Sequence, residues 1–230
     1  MMAVLRVSEF DWKGAEREFR RALELDPKSE DVRKWYDWYY LVPMRRLDEA
    51  VAASQRAVDL DPLSPFLQFR LGYRYYLTRQ WDRAIDQYRN ALELDPHYFA
   101  AHFFLSVAYI HIGKFDEAIR AWETVAQLTG RSPIALGFLG CAYAAAGRIG
   151  EAMRLLEELQ DLAQKTYVSP WSFGAIYYGL REIDRAFDWF EKAVDERDAS
   201  ILTLRDEPGY DPLRSHPRYP ALLRKMNQEP

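Results

Sequence analysis

Small and apolar residues return along this chain at a fixed stride, and the stride predicts its elements. Ala15, Ala50, Ala84, Ala118, Ala152 and Ala186 are separated by 35, 34, 34, 34 and 34 residues. Nine residues before them stand Tyr75, Tyr109, Tyr143 and Tyr177, and twelve before stand Gly72, Ser106, Gly140 and Gly174. Leu71, Leu105, Leu139 and Phe173 lie one position earlier still. Four residues after the alanines come Phe19, Tyr88, Trp122, Leu156 and Phe190, with Ser54 as the exception. A period of this length predicts a solenoid built from one repeated supersecondary unit. The unit is two antiparallel helices: the small residue on the first lets the second approach, and the alanine does the same from the other side. The tyrosine and the later aromatic then fill the space between neighbouring units, because a helix pair alone cannot bury this face.

The order Leu-Gly, Tyr, Ala, aromatic and then Pro27, Pro62 and Pro96 closely resembles the tetratricopeptide repeat. That resemblance covers nearly the whole chain. It implies an all-α, right-handed α-solenoid of antiparallel helix pairs over residues 1–200, followed by a C-terminal cap over 201–230. The first repeat, 1–30, reads as truncated, and the others run at about 31–64, 65–98, 99–132, 133–166 and 167–200. Helix starts are legible at Ser64-Pro65, Ser132-Pro133 and Ser169-Pro170, each an N-cap hydroxyl followed by proline. Helices running into Asp61-Pro62 and Asp95-Pro96 end there, as the restriction before proline favours. The extra residue between Ala15 and Ala50 is placed between Tyr40 and Arg45, with Asp37 where a glycine is expected.

The two ends read differently. Met1–Glu9 reads as a stub with an uncovered stacking face: its helix is frayed, the chain is cut from a longer protein, or another chain covers it. Pro217–Met226 reads as a short helix with Tyr219, Leu222, Leu223 and Met226 on one face, suited to closing the last repeat. The stretch Tyr167-Val168-Ser169-Pro170, Ile176-Tyr177-Tyr178-Gly179-Leu180 and Asp206 to Tyr219 is similar to the end of tetratricopeptide regions in bacterial multidomain regulators. This resemblance implies an oligomerisation or sensory module whose effector domain is absent from the chain.

Composition narrows the function. With 31 lysines and arginines against 35 aspartates and glutamates, the net charge is −4 and no basic block stands out, which argues against direct nucleic-acid binding. No apolar run is long enough for a membrane span, and no secretory signal opens the chain. Cys141 is the single cysteine, so neither a disulfide within the chain nor a cysteine metal site is expected, and the reading is cytoplasmic. His97, His102 and His111 lack the i,i+4 spacing of a helical zinc pair, and no phosphate loop or nucleophile elbow occurs. No enzyme activity, cofactor or metal is expected.

In the tetratricopeptide class the first helices line the concave face. Counting from each repeat start, that face carries Trp35, Trp38, Phe66, Phe69, Arg70, Tyr73, Tyr76, Phe103, Phe104, His111, Phe138, Trp171 and Tyr178. One reading makes these rings internal packing. The other makes them an exposed aromatic groove that binds an apolar peptide or helix, or a second copy of the chain. Chaperone-tail clamps of this class use Lys and Asn, whereas here Phe69, Tyr73 and Phe104 stand with only Arg70 basic. A partner protein or peptide is therefore expected, bound through apolar contacts by a non-catalytic scaffold.

Overall fold

The computed structural model describes residues 2–26, 29, 32, 35–36, 47–201, 204–205 and 207–228. Among the described residues there is no strand. Helices α1 (Met2–Ser8) and α2 (Trp12–Leu25) are followed by α3 (Leu47–Leu60), α4 (Pro65–Leu77), α5 (Trp81–Leu94) and α6 (Phe99–His111). Then come α7 (Phe115–Leu128), α8 (Pro133–Ala145), α9 (Ile149–Ala163), α10 (Pro170–Gly179) and α11 (Ile183–Asp195). Two 3-10 segments, Ala199–Ile201 and Pro208–Ser215, lead to α12 (Tyr219–Lys225). The chain forms two compact units, one of Asp48–Lys192 and one that joins Met1–Leu47 to Ala193–Pro230. The anticipated frame shift at Asp37 and Tyr40–Arg45, and Trp38 with it, lie outside the described residues.

In the larger unit the stride becomes a stack of helix pairs: α4 with α5, α6 with α7 and α8 with α9, each pair packing on the next. Ala84, Ala118, Ala152 and Ala186 are all fully buried. A Cβ on Gly72 would lie 2.7 Å from the Tyr88 ring, and one on Gly174 would run into the Phe190 ring. The small residue of a first helix thus seats the aromatic of its own second helix. Gly140 departs from this. Its repeat carries Leu156 in place of the aromatic, and a Cβ there would meet Ile176 of α10 at 2.7 Å. The next repeat fills the volume that the shorter leucine leaves open.

Three of the four repeating tyrosines, Tyr75, Tyr109 and Tyr143, tie one pair to the pair before it. The Tyr75 hydroxyl donates to Gln55 at 3.0 Å and that of Tyr143 to Glu123 at 2.9 Å, while Arg89 donates to Tyr109 at 2.9 Å. All four anchor the turn that follows. Arg79, Gly113, Gly147 and Arg181 recur in step with φ of 60°, 73°, 75° and 61°, the left-handed conformation that ends many helices. The amide after each of them reaches back to the tyrosine carbonyl, at 2.9 Å for Tyr75 and Tyr109, 2.8 Å for Tyr143 and 3.0 Å for Tyr177. Helix starts match the proline signals: α4, α8 and α10 begin at Pro65, Pro133 and Pro170. Ser64 caps α4 by accepting from the Leu67 amide at 3.4 Å, whereas the Ser132 and Ser169 side chains make no such bond.

In the smaller unit α1 and α2 form a tight hairpin. Phe10, with φ of 57°, turns the chain, and Asp11 caps α2 by accepting from the Gly14 amide at 2.9 Å. Ala3, Val7 and Phe10 are buried. At the other end of the chain, Ile201, Leu204, Leu213, Leu222, Leu223 and Met226 are all buried. Arg214 binds the Arg205 carbonyl at 2.8 Å, which holds the irregular segment to itself.

Candidate functional site

The first helices of the third and fourth repeats carry most of the rings assigned to a groove. Phe69, Tyr73 and Tyr76 follow one face of α4, with centroids 6.3 Å apart for Phe69–Tyr73 and 6.2 Å for Tyr73–Tyr76. Phe104 of α6 stands against all three, at 5.7 Å from Phe69, 4.8 Å edge-on to Tyr73 and 5.7 Å from Tyr76. Tyr88 and Tyr98 extend the block at 6.0 and 5.6 Å from Phe69. Tilted and edge-on pairs of this kind each add about 0.5–1.5 kcal/mol beyond the area they bury. Phe69, Tyr73, Tyr76 and Phe104 are exposed by only 6%, 3%, 0% and 6%, so the ligand-facing reading does not describe them as they stand. Adjacent first helices leave a gap about one ring wide, and their own side chains fill it. Trp171 is likewise core, packed 4.6 Å from Phe190.

The remaining assigned residues keep part of their surface. Phe66, Arg70, Phe103, His111, Phe138 and Tyr178 are half-buried, and Trp35 is exposed. His111 lies flat on Trp81, 4.3 Å away with planes 7° apart, and its Nε2 is 3.4 Å from the Tyr76 hydroxyl. Phe103 meets Trp122 edge-on at 4.7 Å and Phe138 at 5.0 Å, while Phe138 stacks on Trp122 at 4.9 Å. The exposed Phe99, followed by half-buried Phe103, Val107 and Ile110, runs along one face of α6 at helical spacing. Counting repeat positions misses Phe99, Val107 and Ile110. The available signal is that α6 is apolar almost all round, so one face lies at the edge of the core, where Phe103, Val107 and Ile110 pack against it while partly open.

Repeats five and six close differently. α8 and α10 are in contact through glycines: a Cβ on Gly137 would lie 2.7 Å from the Ser172 Cα, and one on Gly179 would lie 2.8 Å from the Cys141 carbonyl oxygen. This backbone approach lies beside Cys141, which is half-buried. Burial pushes Cys141 up to about 12, against a backbone hydrogen bond from Gly179 that pulls the other way. A thiol held protonated at neutral pH is a packing group rather than a nucleophile.

Chemistry elsewhere is sparse. Among the described residues no three His, Cys, Asp or Glu side chains gather to hold a metal ion. His102 is placed 2.8 Å from the Pro96 carbonyl, away from His111 at the far end of the same helix. Tyr143 is raised by burial first and then by its bond to Glu123, which fits a structural latch. Among the described residues no helix is long and apolar enough to cross a membrane.

Comparison with known proteins agrees with this geometry. The family model described as tetratricopeptide repeat matches residues 69–133 and 112–166. No curated protein matches the sequence. Among solved structures, MamA is similar with 22% identity over 72% of this chain and 96% of its own, at a TM-score of 0.51. TTC0263, a thermophilic protein of these repeats from Thermus thermophilus, gives 18% identity, 74% and 93% coverage and a TM-score of 0.55. The Cut9–Hcn1 hetero-tetramer of the APC/C gives 17% identity over 97% of this chain and 45% of that chain, at a TM-score of 0.63. These likenesses establish an α-solenoid fold, and members of the repeat family are generally non-catalytic scaffolds for protein–protein interaction. With the stride, the buried alanines and the family match in agreement, residues 69–166 are tetratricopeptide repeats within a helical solenoid.

Proposed function

We propose that this chain is a non-catalytic scaffold that binds an apolar peptide or one face of an amphipathic helix along α6 and α8. The observation that carries the reading is the stripe Phe99, Phe103, Val107 and Ile110, partly open to solvent, with Phe138 beside it. Contiguous apolar surface of this kind marks interaction sites. A helix lying along it would present residues at i, i+3, i+4 and i+7, the usual register of helix recognition. Phe103 and Phe138 are held by contact with each other and with buried Trp122, so they lose little freedom on binding. Arg70 supplies the basic group assigned to the same wall.

The test is selection of binding peptides from a random display library, followed by calorimetry. Peptides with two or more apolar side chains at helical spacing are expected. The double substitution Phe99→Asp, Val107→Asp is expected to abolish their binding while circular dichroism remains helical. Binding that survives this substitution in a folded protein would overturn the assignment.

A further inference from the structure

A solenoid repeat touches only its neighbours, so contacts in such a fold stay short in sequence. This chain breaks that rule within its smaller unit. The Trp12 indole N–H donates to the Met226 carbonyl at 3.3 Å, across 214 residues of sequence. Both partners belong to the unit that joins Met1–Leu47 to Ala193–Pro230. Around this bond the two ends are apolar and covered: Val7 is 1% exposed, Leu222 1%, and Leu223 and Met226 fully buried. The stub that by sequence needed cover is thus in one compact body with the chain's own C-terminal segment.

Each of the two pieces is closed on itself. The first repeat has its own hairpin, held by the Phe10 turn, the Asp11 cap and the Arg6–Asp11 ion pair at 3.5 Å. The segment likewise has internal bonds, Arg214 to Asp211 at 2.8 Å and Arg214 to the Arg205 carbonyl at 2.8 Å. Its polar ties outward include the Trp12 bond and an ion pair of Lys225 with Asp195 at 2.9 Å, whose side chains are 47% and 63% exposed and screened by water. Two pieces that each carry internal bonds can part without either losing all of its own structure.

We propose that Pro208–Gln228 is a reversible latch on the α1–α2 hairpin, and that the surface it covers accepts the same segment from a second copy of this chain. The occupant is fixed by what already sits there. Exchange between copies seats the segment of one on the hairpin of the other, and when it is reciprocal it closes as a swapped dimer. In one molecule the tether keeps the segment at high effective concentration, which favours the closed form at low protein concentration.

The experiment uses a fluorescent synthetic peptide of residues 199–228, titrated into the full chain and into the full chain carrying Leu222→Glu and Leu223→Glu. The variant, with its own segment unseated, is expected to bind the peptide about tenfold more tightly than the unmodified chain, or better. Adding Trp12→Ala to the variant is expected to weaken that binding. Equal binding by both chains, or none by either, overturns the proposal. Hydrogen exchange on the unmodified chain provides a readout that needs no substitution. The amides of Leu222, Met226 and Gln228 are expected to exchange well before those of α8 and α9. Exchange of those three only with global unfolding overturns the latch.

Discussion

The third and fourth repeats and the fifth and sixth repeats share one stride but join their first helices in opposite ways. Between α4 and α6 the filler is rings, with Phe104 set against Phe69, Tyr73 and Tyr76. Between α8 and α10 no ring intervenes: Ile176 seats on Gly140, and Gly137 and Gly179 bring backbone against backbone. The contrast teaches that a repeat's spacing is set by its second-helix contacts, the alanine and the tyrosine latch. The space between first helices is then left to whatever each repeat supplies. Rings tolerate adjustment because they meet other side chains. Glycine contacts do not, because what a new Cβ would strike is main chain.

The contrast sets an order of expected effects. The largest is chemical: the close approach of α8 and α10 keeps the Cys141 thiol protonated at neutral pH. Pushed up from 9.0 to about 12, the thiol is almost entirely protonated at pH 8, so alkylation should be much slower than that of a free cysteine. The same shift makes stability fall as pH rises from about 9 toward 12, since only the unfolded chain releases the proton in that window. Rapid labelling of the folded protein at pH 8 would mean that α8 and α10 stand apart.

Next is the aromatic wedge. Phe104→Ala empties a site surrounded by five rings and should cost about 3–5 kcal/mol in denaturant unfolding. A cost below about 1 kcal/mol would mean that the ring is not core. Smaller, but sharper, is Gly137→Ala, which places a methyl group 2.7 Å from the Ser172 Cα and should destabilise by about 1–3 kcal/mol. Gly150→Ala in α9 is the control: no atom lies within 4 Å of its Cβ position, so the same change there should stabilise by about 0.5–1 kcal/mol. Equal effects at the two glycines would remove the distinction between the two walls.

Much of the fold was legible because its cause is local and repeated. Ala15, Ala84, Ala118, Ala152 and Ala186 are fully buried at the repeating position, and the serine–proline pairs mark helix starts at Pro65, Pro133 and Pro170. The site was harder to read. Counting positions places Phe69, Phe104 and Phe99 on first helices, but whether a ring faces solvent depends on the gap to the next helix, which one repeat does not encode. Gly137 stands in register with Phe69, Phe103 and Trp171, so the stride marks a ring position that has become glycine, but not the backbone approach that results. The Trp12–Met226 contact was invisible for a further reason, since no periodic signal links the two ends of a solenoid.

The central claim is that the aromatic wall of the third and fourth repeats is core, and that the open surface runs along Phe99, Phe103 and Phe138. Paramagnetic relaxation of aromatic ring protons by a soluble, uncharged probe tests it most directly. Phe69, Tyr73, Tyr76 and Phe104 should be spared while Phe66 and Phe99 relax strongly. Strong relaxation of the first four rings would contradict the account.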